Sequence, residues 1–279
     1  MQRQFQLIDV FHDQPGSGNP LAVVFDGEGL STEQMQQITR WLNLSETTFL
    51  VPPTDPAADY HVRIFTLDRE IPFAGHPTLG TCHAWLRAGG VPRQPGLIMQ
   101  QCGAGLVPIR QQPEYLAFAA PPLLHGGPAS EELALELAAF LQIDRSKILA
   151  AEWADNGPGW VVVLLESAEA VLALNPLRRY HRHIDLGAVG PYPAGSQYAI
   201  ELRAFFSDQH GNTLEDPVTG SLNASVAQWL LGSGRLRAPY TAAQGTALGR
   251  SGRIFIAEDA DAIWVGGRTT TLVAGEWLG

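Results

Sequence analysis

The sequence predicts an α+β protein made of two related halves, and three observations support this prediction. Alternating apolar and polar runs, typical of strands, outnumber the helical patterns along the 279 residues. Hydrophobic residues make up 45% of the chain and charged residues only 16%, so a sizeable core can form. A segment of the first half also recurs in the second half.

The repeat is visible when the chain is compared with itself. A shift of about 140 residues places Val62–Ala84 on Leu202–Ala224 without a gap. His76 and its following proline then align with Asp216 and its following proline. Each half is therefore predicted to contain a strand, a polar turn, an acidic or imidazole side chain followed by proline, and a helix.

The helix starts are the first candidate sites. Proline is well suited to the first position of a helix, so Pro77 predicts that His76 is the N-cap. Histidine is a poor N-cap, and helix N-termini attract anions through their free N–H groups and the helix dipole. A binding site at His76 is one interpretation; a Gly-Pro turn with an incidental histidine is the other.

Two domains are expected. The first comprises residues 1–118, completed by a last strand at about 265–279, and the second comprises residues 125–264. The segment Gln111–Pro128 is rich in proline and glycine and is the predicted linker.

Glu46 is the second candidate site. A strand is predicted over Leu44–Val51, and its period of two puts Leu44, Glu46, Thr48 and Leu50 on one face. If that face is buried, desolvation raises the pKa of the Glu46 carboxyl and suits it to acid/base chemistry. If the face is solvated, Glu46 is an ordinary surface residue.

Charge and motifs argue against several function classes. The net charge is −10 without a basic run, which opposes binding to nucleic acid. No apolar run reaches membrane-spanning length and the first residues do not form a signal peptide, so a cytoplasmic protein without membrane contact is expected. Cys82 and Cys102 lack zinc-site spacing, and no motif predicts a metal site.

Several motifs resemble those of the PhzF-like phenazine-biosynthesis family, and the similarity runs across essentially the whole chain. They are Gly18-Asn19-Pro20-Leu21-Ala22-Val23-Val24, Asn43-Leu44-Ser45-Glu46-Thr47, Arg63-Ile64-Phe65-Thr66, Phe73-Ala74-Gly75-His76-Pro77-Thr78-Leu79-Gly80 and Glu215-Asp216-Pro217-Val218-Thr219-Gly220-Ser221.

The resemblance implies a diaminopimelate-epimerase-like fold. In that fold two pseudo-symmetric halves each wrap a mostly antiparallel β-barrel around a central helix, and the active site lies in the cleft between them. It also implies a cofactor-independent isomerase of a small carboxylate-bearing substrate, commonly a homodimer.

The same resemblance implies roles for individual residues. Glu46 corresponds to the general acid/base, and His76 and Asp216 to its catalytic partners. The expected substrate-binding residues are Ser45, Gly75, Thr78, Gly220 and Ser221.

Two departures shape the predicted mechanism. Racemases of this fold use one cysteine at each helix start, whereas Cys82 lies about a turn inside the first helix, so a two-thiol racemase is disfavoured. The repeat offset places Leu186 opposite Glu46, which predicts a single base that removes and returns the proton. A racemase, epimerase or lyase acting on an amino-acid-like substrate remains an alternative, as does a non-catalytic binding protein.

Overall fold

A computed structural model of the chain describes residues 2–208, 210–260 and 262–278. Strands dominate these residues and helices are few, as expected for the predicted α+β class. The helices are α1 (Thr32–Leu42), α2 (Gly75–Arg87), α3 (Glu131–Leu141), α4 (Ala168–Leu172) and α5 (Gly220–Gly232).

The strands follow one another along the chain with the helices set between them. They are β1 (Gln2–Val10), β2 (Asn19–Val24), β3 (Glu46–Val51), β4 (Tyr60–Thr66), β5 (Glu70–Ile71), β6 (Leu97–Cys102), β7 (Gly105–Gln111), β8 (Leu116–Ala119), β9 (His125–Pro128), β10 (Ala150–Asp155), β11 (Val161–Leu164), β12 (Asp185–Pro191), β13 (Ile200–Ser207), β14 (Thr213–Asp216), β15 (Tyr240–Gln244), β16 (Gly252–Glu258), β17 (Ile263–Gly267) and β18 (Thr269–Leu278).

The chain divides into two compact units. Unit 1 comprises Met1–Ala119 together with Gly266–Gly279, and unit 2 comprises Ala120–Val265. Strands β8 and β9 lie inside the predicted linker Gln111–Pro128, and the boundary between the units, after Ala119, falls between these two strands. Proline and glycine are tolerated at the ends and edges of strands.

Unit 1 is built on a mixed sheet. β1 pairs antiparallel with β2 and β18, and β2 pairs parallel with β3. β3 pairs antiparallel with β4, which continues antiparallel to β5 and parallel to β6. Helix α2 is almost fully buried and contacts β1, β2, β3, β6, β8 and β18.

Unit 2 uses the same order of pairings. β11 pairs parallel with β12, β12 antiparallel with β13, and β13 antiparallel with β14 and parallel with β15. Helix α5 is buried along most of its length and contacts β10 and β16. The repeat seen in the sequence is therefore a repeat of strand topology. Closure of each half into a barrel stays a prediction.

The gapless alignment of the two halves is wrong beyond the first strand. Phe65 pairs with Glu70, five residues on, whereas Phe205 pairs with Glu215, ten residues on, so the second turn is five residues longer. Each helix begins four residues after its short strand ends, at Gly75 and at Gly220. Lengthening a surface turn costs little free energy, which is why a repeat can acquire such an insertion.

The repeated strands carry a repeated ion pair. Arg63 makes a two-bond contact with Glu70, through Nε to Oε1 at 2.8 Å and Nη2 to Oε2 at 2.6 Å. Arg203 binds Glu215 in the same way, at 2.9 Å and 2.7 Å. Glu70 and Glu215 are therefore equivalent residues, which supports the conclusion that the second turn is five residues longer.

Local sequence signals account for several helix ends. Ser31 caps α1 in a capping box with Gln34, and Asn43 ends the helix in the left-handed conformation. Ser130 caps α3 by accepting from the Leu133 N–H. After α2, strands β6 and β7 form an antiparallel hairpin.

Each unit has a hydrophobic cluster on the sheet face opposite its buried central helix. In unit 1, Met35 of α1 packs with Val24, Phe49 and Phe65. In unit 2 the larger cluster joins residues of α3, β11, β12 and β13, including Phe140, Leu141, Val163, Leu186 and Phe205. These clusters fix which strand face is left for the central helix.

Candidate active site

Helix α2 starts two residues earlier than predicted. The helix begins at Gly75 with Ala74 as N-cap, so His76 and Pro77 occupy the second and third helical positions. Proline is still compatible with this place, because the first N–H groups of a helix have no partner within the helix. The prediction that His76 is the N-cap is wrong, but His76 does lie in the first turn.

His76 and Glu46 lie together. His76 is 3% exposed, its Nδ1 is 3.2 Å from Glu46 Oε2, and its Nε2 is 3.3 Å from the Pro20 carbonyl oxygen. A carbonyl oxygen can only accept, so the hydrogen bond to Pro20 places a proton on Nε2. Nδ1 is therefore the nitrogen that faces the carboxyl group.

The contact between Glu46 and His76 requires one proton. Either a protonated imidazole donates from Nδ1 to a carboxylate, or a carboxylic acid donates to Nδ1 of a neutral ring. Glu46 Oε2 is buried and lies at ion-pair distance from Nδ1, yet it does not meet the geometry of a formed hydrogen bond with any described residue. Catalytic hydrogen bonds are often long in unliganded sites.

Glu46 is on the strand face that points at α2. Thr48, two residues on, accepts a hydrogen bond from Thr81 of that helix at 2.9 Å. The Glu46 side chain is only 17% exposed, so the surface-residue interpretation is wrong. Its position in a cleft between the two halves stays a prediction.

The simple alternation predicted for this strand is absent from β3. Thr47, Thr48, Phe49 and Leu50 are all buried, because α1 covers one face of the strand and α2 the other. A strand buried on both faces loses its period-two pattern.

Asp216 is held at the approach to α5. Its Oδ2 accepts from the Thr219 hydroxyl at 2.7 Å, and its backbone oxygen accepts from Gln244 Nε2 at 3.1 Å. The Gln244 side chain, which is fully buried, also accepts from the Thr219 N–H and from Asn223 Nδ2. Asp216 is thus oriented by two side chains that sequence analysis did not identify.

Ser221 lies in the first turn of α5, directly after Gly220, and its hydroxyl and backbone oxygens both accept hydrogen bonds. The Trp160 indole Nε1 donates to Ser221 Oγ at 3.1 Å, and Asn156 Nδ2 donates to the Ser221 backbone oxygen at 2.9 Å. Asn156 Oδ1 is buried and has no hydrogen-bond partner among the described residues. Trp160 and Asn156 were missed because neither belongs to a motif.

The remaining predicted binding residues have different settings. Gly75 is buried at the start of α2. Thr78 is fully buried, and its hydroxyl accepts from Gln100 Nε2 at 2.9 Å, so it supports the helix start from inside. Ser45 immediately precedes β3 and is partly buried.

Helices α2 and α5 differ from the others at their N-termini. Serine side chains cap α1, α3 and α4. At α2 the N-cap is Ala74, which has no polar side chain, and at α5 the Thr219 hydroxyl is directed to Asp216 instead. These two helix starts suit an anionic ligand, because a bound carboxylate would satisfy the first-turn N–H groups.

The cysteines do not form a thiol base pair. Cys82 is fully buried within α2, and burial raises the pKa of its thiol to about 12. Burial also raises the pKa of Cys102. Both thiols are therefore protonated at neutral pH, in agreement with the expectation that a two-thiol racemase is disfavoured.

The described part of the chain has neither a metal-ligand cluster nor a membrane-spanning helix. Across residues 2–208, 210–260 and 262–278, no cluster of three or more His, Cys, Asp or Glu side chains could hold a metal ion. In the same residues, no helix is both long enough and apolar enough to cross a bilayer.

Comparison with known proteins gives the family. Residues 8–275 match the PhzC-PhzF family, described as phenazine biosynthesis-like protein. The chain belongs to the PhzF family.

Relatives of this PhzF-family protein include named isomerases. Antisense-enhancing sequence 1 of Schizosaccharomyces pombe is 34% identical, with 99% of this chain and 98% of the relative covered. The trans-2,3-dihydro-3-hydroxyanthranilate isomerase of Pseudomonas aeruginosa is 33% identical, with 90% and 89% covered. A structure described as a predicted epimerase from Pseudomonas aeruginosa superposes with a TM-score of 0.81 at 26% identity, and 99% of each chain is covered. The protein is a PhzF-like isomerase.

Proposed function

We propose that the protein moves a proton between two carbons of a small carboxylate-bearing substrate, with Glu46 as the general acid/base. The observation that carries this proposal is the Glu46–His76 contact at 3.2 Å beside the start of α2. Membership of a family with isomerase relatives supports the reaction class.

Glu46 begins the reaction by taking a proton from carbon. The C–H bond breaks, its electron pair moves into the conjugated system of the substrate, and a C–H bond forms at the second carbon as Glu46 returns the proton there. His76 holds Glu46 through Nδ1 and is itself held through Nε2 by the Pro20 carbonyl. A buried carboxyl oxygen in contact with an imidazole is well placed for proton transfer.

Substrate binding is assigned to the helix starts. Gly75 and Thr78 of α2, Gly220 and Ser221 of α5, and Ser45 before β3 are the proposed binding residues. Helix N-terminal N–H groups would bind the carboxylate and stabilise the negative charge that develops as the C–H bond breaks. Asp216, fixed by Thr219 and Gln244, would accept from a substrate amino or hydroxyl group.

The proposal also covers cofactor use, oligomeric state, location and partners. We propose a cofactor-independent enzyme, since carboxyl and imidazole groups suffice for a proton shift, and a cytoplasmic homodimer without nucleic-acid or membrane partners. The net charge of −10 supports the last point. Light scattering of the purified protein would test the dimer.

The reaction class is tested by hydrogen exchange at carbon. The protein is incubated in D₂O with trans-2,3-dihydro-3-hydroxyanthranilate and with a panel of cyclic and β,γ-unsaturated amino acids, and products are analysed by NMR. We expect deuterium at carbon in at least one compound, and its loss with Glu46→Gln. Absence of deuterium from every compound, or exchange that persists in Glu46→Gln, would contradict the proposal.

A racemase or epimerase is the second candidate, and the structure described as a predicted epimerase favours it. The same incubation separates the two reactions. An epimerase would place deuterium at the carbon from which hydrogen was removed, with inversion and no shift of the double bond.

A further inference from the structure

Three elements of unit 1 supply the proposed catalytic contact. Pro20 belongs to β2, Glu46 to β3 and His76 to α2. His76 Nδ1 lies 3.2 Å from Glu46 Oε2, and His76 Nε2 lies 3.3 Å from the Pro20 carbonyl oxygen. The geometry of the contact therefore depends on how accurately the helix is placed on the two strands.

A second chain of polar contacts joins the same three elements. Thr81 of α2 donates its hydroxyl proton to Thr48 Oγ1 of β3 at 2.9 Å, and Thr48 Oγ1 donates to the Ala22 carbonyl oxygen of β2 at 3.4 Å. A carbonyl oxygen can only accept, so the Thr48 proton points to Ala22 and Thr48 accepts from Thr81. The direction of both hydrogen bonds in this hydroxyl chain is thereby fixed.

The hydroxyl chain runs alongside the catalytic contact. β2 and β3 are parallel, and on each strand the hydroxyl chain lies two residues after the catalytic contact, which is about 6.6 Å along an extended strand. On α2, Thr81 follows His76 by five residues, a rise of about 7.5 Å. The two spans are similar, so one axial placement of the helix satisfies both sets of contacts.

The two threonine side chains lie inside unit 1. Both Thr48 and Thr81 are fully buried, so a hydroxyl that lost its partner there would cost free energy. Apolar packing is non-directional and permits small shifts of a helix along a sheet. A hydrogen bond has a narrow range of distance and angle. The hydroxyl chain therefore restricts the placement of α2 more closely than apolar packing does.

The Thr81 hydroxyl has an alternative partner within its own helix. Serine and threonine in helices can donate to the carbonyl oxygen four residues earlier. Thr39 of α1 does so with the Met35 carbonyl oxygen at 2.9 Å. The Thr81 hydroxyl is instead directed to Thr48 on another element. This hydrogen bond therefore stabilises the position of the helix on the sheet.

We propose that Thr48 and Thr81 are positioning residues that set the distance between Glu46 and His76. They act through the placement of α2 on β2 and β3, and they take no part in proton transfer. This inference rests on the proposed function, because it assigns to the two hydroxyls the task of holding the acid/base pair. All four residues belong to unit 1.

The test compares variants of nearly equal shape. Thr48→Val and Thr81→Val each remove one hydroxyl, whereas Thr48→Ser and Thr81→Ser keep it. Thr47→Val is the matched control, since Thr47 is fully buried beside Thr48 and its hydroxyl has no hydrogen-bond partner among the described residues. The measurements are kcat and KM with the substrate that the exchange experiment identifies, the melting temperature, and the ¹⁵N NMR signals of the His76 ring.

We expect kcat to fall by about 10- to 100-fold in Thr48→Val and in Thr81→Val, because a misplacement of about 1 Å can cost that much. KM should change less than kcat. The serine variants should recover most of the turnover. The double valine variant should lose no more than the worse single variant, because the two hydroxyls form one chain. Thr47→Val should have the kcat of the wild type.

The His76 ring gives a measurement that needs no substrate. In Thr48→Val and Thr81→Val, its Nδ1 signal should move toward the position that it takes in Glu46→Ala, where the carboxyl group is absent. In Thr47→Val the signal should stay at its wild-type position. A loss of stability alone would not move this signal in a folded protein.

Three results would overturn the inference. They are wild-type kcat in folded Thr48→Val and Thr81→Val, an equal loss of kcat in Thr47→Val, and a His76 Nδ1 signal that neither substitution moves. If Thr48→Val does not fold, Thr81→Val decides, because it leaves the hydrogen bond from Thr48 to Ala22 in place. If the wild type shows no exchange at carbon, the proposed function fails, and the NMR comparison still decides whether the two hydroxyls set the contact.

Discussion

Glu46 and His76 are close enough to share a proton, and the Pro20 carbonyl contact selects which imidazole nitrogen faces the carboxyl group. His76 lies in the first turn of α2, whose N-cap is alanine, and Glu46 is the first residue of β3. At the scale of single residues, the proposed function therefore depends on one carboxyl–imidazole contact beside a helix start.

The first prediction concerns Glu46→Gln. The amide keeps the shape of the side chain but cannot carry a proton, so kcat should fall by about 10²- to 10⁴-fold. Substrate affinity should stay within a few-fold of wild type, measured by calorimetry beside steady-state kinetics. Glu28→Gln, an exposed substitution in the same unit, is the control. Near-normal kcat in Glu46→Gln would remove Glu46 from the mechanism.

The second prediction concerns the pH dependence of stability through Cys82. Its pKa is raised from 9.0 to about 12 by burial, so above pH 9 the unfolded chain ionises while the folded thiol stays protonated. The stability present below pH 9 is therefore lost as the pH rises, with a slope of up to about 1.4 kcal/mol per pH unit.

The measurement is the free energy of unfolding between pH 7 and pH 10 for wild type and Cys82→Ala. The variant loses packing at every pH. The pH slopes of the free energy of unfolding are therefore compared, rather than its absolute values. The raised pKa values of Cys102 and Tyr60 affect the slope in both proteins, so the difference between the two slopes reports Cys82. Equal slopes between pH 9 and pH 10 would show that the Cys82 thiolate is tolerated in the folded protein.

At the scale of elements, the two equivalent hairpins carry the same Arg–Glu contact in different surroundings. The side chains of Arg203 and Glu215 are 8% and 11% exposed, whereas those of Arg63 and Glu70 are 25% and 37% exposed. Arg203 Nη1 also donates to the Leu174 carbonyl at 2.6 Å. The repeat thus provides a buried ion pair and a matched surface pair within one chain.

The third prediction compares Arg203→Met with Arg63→Met. Removing Arg203 leaves a buried carboxylate without its partner, which should cost about 3–5 kcal/mol. Removing Arg63 should cost at most about 1 kcal/mol, because the exposed pair is screened by solvent. Urea unfolding of both variants gives the two values. Similar losses would mean that burial does not set the strength of these pairs.

At the scale of the whole molecule, unit 2 is one continuous segment and unit 1 is completed by the end of the chain. β18 pairs with β1 over most of its length. Thr269 and Thr271 of β18 also hydrogen-bond the two ring nitrogens of His83 in α2, at 2.9 Å and 3.0 Å. The last strand therefore supports both the sheet and the central helix of unit 1.

The fourth prediction is that a chain ending at Gly267 loses structure selectively. Without β18, the nine described residues of β1 lose one strand partner, and α2 loses its contacts to Thr269 and Thr271. Hydrogen exchange should quicken for amides of β1 and α2 while those of β12 and β13 stay protected. Equal loss of amide protection in both units would show that unit 2 also depends on β18, which would contradict the prediction.

Much of this protein was determined by local sequence. Ser31 with Gln34 is enough to start α1, because a capping box needs only neighbouring residues. The strand before each central helix repeats in the sequence, and the motifs around Glu46, His76 and Asp216 give the family. These signals act over a few residues, so they survive without knowledge of the fold.

Tertiary structure decided the rest, because strand pairing joins segments that are far apart in the chain. The five-residue difference between the two turns shifts the helix alignment, and the pairings of Phe65 and Phe205 reveal it. When helices cover both faces of a strand, its hydrophobic periodicity disappears. Packing then decides which face of the strand meets which helix.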